Sequence, residues 1–140
     1  MKFFSSHDNP LSMSDIEEKD FQDEDIEKAL KAIERRYGFI PFINQVLSTR
    51  PDFFIPQIEL SKAVFTNPGA LSEREKELIA IGAACAICAE HCMDVHISQA
   101  RKLGADRDQI FEAMMVGSFV ALNKTQSYSF RKLHEAFERK

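Results

Sequence analysis

Apolar residues recur at intervals of three and four along almost the whole of this 140-residue chain, and no stretch alternates with period two long enough to make a strand. That periodicity restricts the chain to an all-α fold, and its punctuation divides it into roughly six or seven helices. The first begins at Asp23 or Asp25, carries Ile26, Ala29, Leu30, Ile33 and Tyr37 on one face, and stops at Gly38. Pro41, a favoured first helical residue, opens a second through Phe42, Ile43, Val46 and Leu47, closed by Arg50 and Pro51. A third runs from Pro51 through Phe53, Phe54, Ile58, Leu60 and Val64, with Pro56 in its first turn or kinking it, up to a turn at Asn67, Pro68 and Gly69. Ser72 and Glu75 form a capping-box pattern ahead of the most apolar helix, Glu73 to about Cys88. Met93, Val95, Ile97, Ala100 and Leu103 mark the next, which stops at Gly104. Asp106 with Gln109 starts another through Ile110, Ala113, Met114, Val116 and Val120, and a separate last amphipathic helix holds Tyr128, Phe130, Leu133, His134 and Phe137.

Residues 1–20 are polar, acidic and without period, which predicts an arm that is disordered or docks on a neighbour; residues 21–140 read as a single domain. A hydrophobic share of 44% is enough for one real core. Two segments, Leu78 to Ala89 and Ala113 to Leu122, are apolar on most faces. In so small a domain that predicts burial between subunits as well as within one, hence a homo-oligomer with a closed symmetric ring as the default form. The net charge of −4 and the absence of a basic stripe argue against nucleic acid and against a polybasic membrane contact. The longest apolar stretch falls short of the roughly 20 residues that span a bilayer. Residues Met1 to Pro10 carry no apolar secretory core, so a cytosolic location is the expectation. There, three cysteines within eight residues point to catalysis or metal binding rather than to a structural disulfide framework.

Those cysteines and a histidine, Cys85, Cys88, Cys92 and His96, are spaced three, four and four residues apart, a single helical stripe. An imidazole one helical turn from a thiol can take the thiol proton and stabilise the anion left behind, which gives a redox or nucleophilic site. The competing reading is the apolar seam of a core helix, because cysteine is among the most buried residue types. His96 is the obvious base for Cys92. Glu77, fifteen residues before Cys92, would lie about 22 Å away along one straight helix. The two meet only if the chain breaks between them or another subunit supplies one. A break near Cys88 to His91, with a new helix beginning at Cys92, would also set the thiol at a helix N-terminus, where free N–H groups favour a thiolate.

The stretch from Tyr37 to about Ala121, with Gly38-Phe39-Ile40-Pro41, Arg50-Pro51, Leu71-Ser72-Glu73-Arg74-Glu75-Lys76-Glu77-Leu78-Ile79 and Cys92-Met93-Asp94-Val95-His96, resembles the carboxymuconolactone decarboxylase family and within it the alkylhydroperoxidase D branch. The branch pattern is a glutamate, eleven residues, a C-x-x-C pair, three residues and a histidine. Glu77, Cys92 and His96 stand in register with its glutamate, second cysteine and histidine, while the first cysteine falls on Ala89 and Cys88 lies one residue early. The resemblance implies an all-α homo-oligomer, a trimer or hexamer, that reduces a hydroperoxide. Cys92 would be activated by His96 and Glu77, Cys88 would serve as substitute resolving thiol, and a dithiol or partner protein would supply the electrons; no cofactor is implied. In a regular helix the Cβ vectors of Cys88 and Cys92 run nearly parallel, so a bridge between them needs the same local break. Cys85 reads as a buried small residue, and His91 as an exposed helix-start histidine. Three other readings stay open: a non-redox decarboxylase-like enzyme on this fold, a metal site drawing on Cys88, His91, Cys92 and His96, and a non-enzymatic oligomeric module.

Overall fold

A computed structural model describes residues 20–138. Among them the chain forms six helices and no strand: α1 (Asp23–Tyr37), α2 (Phe42–Leu47), α3 (Pro51–Phe65), α4 (Glu73–Ala86), α5 (Glu90–Lys102) and α6 (Arg107–Glu138). The expected arm, residues 1–20, lies outside the described residues except for Asp20.

Most boundaries follow the local chemistry of the sequence. Gly38 ends α1 in the left-handed region at φ 85°, its N–H donating to the Glu34 carbonyl at 2.7 Å. Pro41 stands just before α2 as its cap rather than as its first helical residue. Pro56 is in the second turn of α3, inside the helix. At the head of α4 the Ser72 hydroxyl accepts from the Glu75 N–H at 3.2 Å and Glu75 accepts from the Ser72 N–H at 2.7 Å, a complete capping box. Asp106 and Gln109 repeat the arrangement at the head of α6, at 2.8 and 3.1 Å.

Two expectations are corrected. The separate last helix does not exist: Arg107 to Glu138 is one helix of 32 residues, about 48 Å long at 1.5 Å per residue. Nothing between Leu122 and Ser127 breaks it, since the stretch has neither Gly nor Pro. Its hydroxyl residues stay helical by bonding back one turn, Thr125 to the Ala121 carbonyl and Ser129 to the Thr125 carbonyl. The cysteine stripe is not a stripe either. Helix α4 stops at Ala86 and α5 starts at Glu90, so Cys85 and Cys88 do not share a helical face with Cys92 and His96. The break is a Schellman turn: the Ala89 N–H reaches the Ala84 carbonyl at 2.9 Å and the Cys88 N–H the Cys85 carbonyl at 3.2 Å. Cys88 occupies the left-handed position at φ 55°, where glycine is usual. The same turn ends α5, with Gly104 in that position at φ 82°.

Helix α4 is the centre of the packing, against α5 on one side and α6 on the other. Its buried residues Glu77, Ile81 and Ala84 follow the i, i+4, i+7 spacing of one face. Ile81 joins Ala100, Ala105 and Ile110 in the core, with Leu78, Ile97, Ala113 and Met114 packed around them. Helices α4 and α6 touch backbone to backbone, for a Cβ placed on Gly117 would lie 2.0 Å from the Gly82 carbonyl oxygen. Beyond this contact α6 is poorly covered: Phe111, Met115, Val116, Phe119 and Val120 are each more than half exposed. No helix among the described residues is long and apolar enough to cross a membrane.

Candidate active site

Glu77 is the fifth residue of α4, on the face that carries Ile81, and it is 1% exposed. A carboxylate so deeply placed must be paired. Two side chains from elsewhere in the chain do this, a guanidinium and an imidazole. The Arg36 guanidinium at the end of α1 donates to Glu77 Oε1 at 3.1 Å, and His96 Nδ1 lies 2.7 Å from Oε2. The turn at Ile87 to Ala89 makes the second contact possible by folding α5 back along α4, so that a residue nineteen positions away meets the first turns of the preceding helix.

Arg36 is itself held in place. Its carbonyl accepts from the Gln99 side-chain amide at 3.1 Å and from the Lys102 ammonium at 2.9 Å, both on α5. Gln99, 5% exposed, is one of the few buried polar residues. On its other side the His96 ring stacks against Phe65 at the end of α3, centroids 5.1 Å apart. The imidazole is thus oriented by a carboxylate through Nδ1 and by an aromatic face, which leaves Nε2 as the nitrogen available for proton exchange.

Cys92 is the third residue of α5, one helical turn before His96 and exposed. The helix begins two residues earlier than expected, at Glu90, which still leaves Cys92 within the first turn, where N–H groups lack intrahelical acceptors. Cys92 and His96 line one cleft of about 480 Å³ whose walls are otherwise mainly apolar, among them Val64, Leu71, Ile79 and Ala83. Ala89, at the register of the branch's first cysteine, also lines it; Cys88 is exposed on the Schellman turn outside that lining. All three cysteines are free thiols. Cys85 faces α6, its sulfur 3.2 Å from the Ser118 hydroxyl, and His91 is exposed at the second position of α5. Among the described residues no three His, Cys, Asp or Glu side chains are placed to hold a metal ion, so the metal reading finds no ligand set there.

Arg36, Gln99 and Phe65 escape the sequence reading. Arg36 acts across 41 positions, and its place in the chain, beside Arg35 in the last turn of α1, is where a basic residue is common for local reasons alone. Glu77 was legible through its register with the branch glutamate; its i, i+4, i+7 spacing with Ile81 and Ala84 is the signal that could have placed it on the buried face.

One curated relative is "Uncharacterized protein 4 in cox locus" of Paracoccus denitrificans, 41% identical over 61 residues, which cover 44% of this chain and 54% of the relative. The chain therefore matches about half the length of that relative. No solved structure matches. The profile of the carboxymuconolactone decarboxylase family matches residues 51–135, from the start of α3 through most of α6 and including Glu77, Cys92 and His96. On that match, the chain belongs to the carboxymuconolactone decarboxylase family.

Proposed function

We propose that this protein is a thiol-dependent hydroperoxidase of the alkylhydroperoxidase D type, with Cys92 as nucleophile, His96 as its base and Glu77 as the residue that positions His96. The observation that carries this reading is the buried Glu77–His96 hydrogen bond of 2.7 Å beside the cleft that Cys92 lines. In the reaction His96 takes the Cys92 proton, and the thiolate attacks the distal oxygen of a hydroperoxide. The O–O bond breaks, an S–O bond forms, and the alkoxide leaves as the alcohol with the proton that His96 returns. The resulting sulfenic acid condenses with a second thiol, releasing water and leaving a disulfide that an external dithiol reduces. Cys88 is the nearest thiol in sequence, and its place on a turn rather than in a helix removes the parallel Cβ geometry that would oppose a bridge to Cys92. The apolar walls of the cleft favour an alkyl or aryl hydroperoxide over hydrogen peroxide.

The working form is proposed to be a homo-oligomer, trimer or hexamer, because Phe111, Met115, Val116, Phe119 and Val120 on α6 form a larger exposed apolar face than a soluble monomer usually carries. Cumene hydroperoxide consumption with dithiothreitol as reductant tests the chemistry. Cys92→Ser is expected to abolish turnover, while Cys85→Ser leaves it within about twofold; equal turnover by Cys92→Ser and wild type refutes the assignment.

A further inference from the structure

A second cleft, of about 560 Å³, lies between α1, α2 and α3 and shares Phe65 with the Cys92 cleft. Its volume is within the range of small-molecule sites. Three features define its chemistry. Its walls are apolar where Ile33, Ile58 and Phe65 meet. Its lining includes Arg35, Arg36 and Lys62 and no acidic residue, in a chain whose net charge is −4. Arg36 is committed to Glu77 and Glu73, but Arg35 and Lys62 make no ion pair among the described residues. The third feature is Asn44, which also lines the cleft; no buried side-chain nitrogen or oxygen among the described residues lacks a partner, so its amide is open to solvent and free to meet a ligand.

We propose that this cleft is a binding site for a small amphipathic carboxylate. The anionic head sits between Arg35 and Lys62, the apolar body lies along Ile33, Ile58 and Phe65, and a polar atom of the ligand meets Asn44. A neutral ligand would leave the two cations without a partner, and a dication or zwitterion would place positive charge among them. An inorganic anion would leave the apolar walls wet. An amphipathic anion alone satisfies all three features. The site is separate from the Cys92 cleft, but Phe65 lines both and Arg36 holds Glu77, so the occupant lies against two of the residues that support His96.

Calorimetric titration of the full chain with octanoate and with its neutral isostere octanamide tests this. Octanoate is expected to bind saturably and about tenfold or more tighter than octanamide, the difference that charge-assisted hydrogen bonds supply. The double variant Arg35→Gln/Lys62→Gln, at two exposed positions and with an unchanged Tm as its folding control, is expected to bring octanoate down to the affinity of octanamide. Ile87→Trp, which narrows the Cys92 cleft from an exposed position, is expected to leave octanoate binding unchanged. Absence of saturable heat, equal binding of the amide, or loss of binding in Ile87→Trp with retention in the double variant would each overturn the proposal.

Discussion

Replacing Cys88 by glycine is expected to stabilise the protein even as it removes a cysteine in the motif region. Cys88 holds φ 55° at the left-handed position of the Schellman turn between α4 and α5. A residue with a Cβ gives up about 1–2 kcal/mol there. Glycine is free of that strain but loses more chain entropy on folding, about 0.5–1 kcal/mol. The balance favours Cys88→Gly by about 0.5–1 kcal/mol, which for a domain of this size raises Tm by about 2–5 °C. Cys88→Ala keeps the Cβ and therefore the strain, so its Tm stays with that of the wild type. Gly104→Ala reverses the experiment at the end of α5, where the same turn holds glycine at φ 82° and has open space for a Cβ, and lowers Tm by a similar amount. Thermal melts in reducing buffer at one protein concentration provide the assay, since oligomerisation makes Tm depend on concentration. A Cys88→Gly protein no more stable than Cys88→Ala would show that the turn is not strained at this residue, and the reasoning would fail.

Gly117→Ala sets a methyl group 2.0 Å from the Gly82 carbonyl oxygen, a backbone atom that cannot swing away, and is expected to cost at least the 1–3 kcal/mol typical of overpacking. Gly82→Ala, whose nearest contact would be 3.0 Å, costs less, and a reversed order in urea midpoints refutes the backbone contact between α4 and α6. A double-mutant cycle of Arg36→Met with Glu77→Gln should give a coupling of about 1 kcal/mol or more, as expected of a pair with one fully buried partner; additivity would dissolve the clamp. The Ser72 hydroxyl, and then the Ser72 N–H, hold the Glu75 carboxyl below the ordinary glutamate range. Its folded value is thus the lower one, and the stability it contributes is present above the unfolded value and lost as pH falls through the folded one. The gap in urea midpoint between wild type and Glu75→Gln should therefore close on acidification, and a widening gap would contradict the cap.

What the sequence made legible is what local chemistry decides. Gly38, Pro51, Gly104 and the two capping boxes mark helix ends because each acts on its own neighbours. The end of α4 carries no such mark, since Cys88 stands where glycine would announce the turn; only the need to bring Glu77 to the motif pointed to a break near there. The continuity of α6 was missed for the opposite reason, a polar stretch around Asn123 to Ser127 that reads as a linker yet contains no breaker. Cys92 and His96 were readable as a pair because i, i+4 on one helix is a local relation. Arg36 was not, because its contact with Glu77 depends on how α1 packs on α5, and Phe65 reaches His96 only through the placement of α3.

Free thiols counted in wild-type protein before and after one equivalent of cumene hydroperoxide per chain test the central claim that Cys92 is the peroxide-reactive group. Two thiols per chain are expected to disappear, with mass mapping to a Cys88–Cys92 bridge, and none in Cys92→Ser. An unchanged thiol count in the wild type, or equal loss in Cys92→Ser, would contradict it.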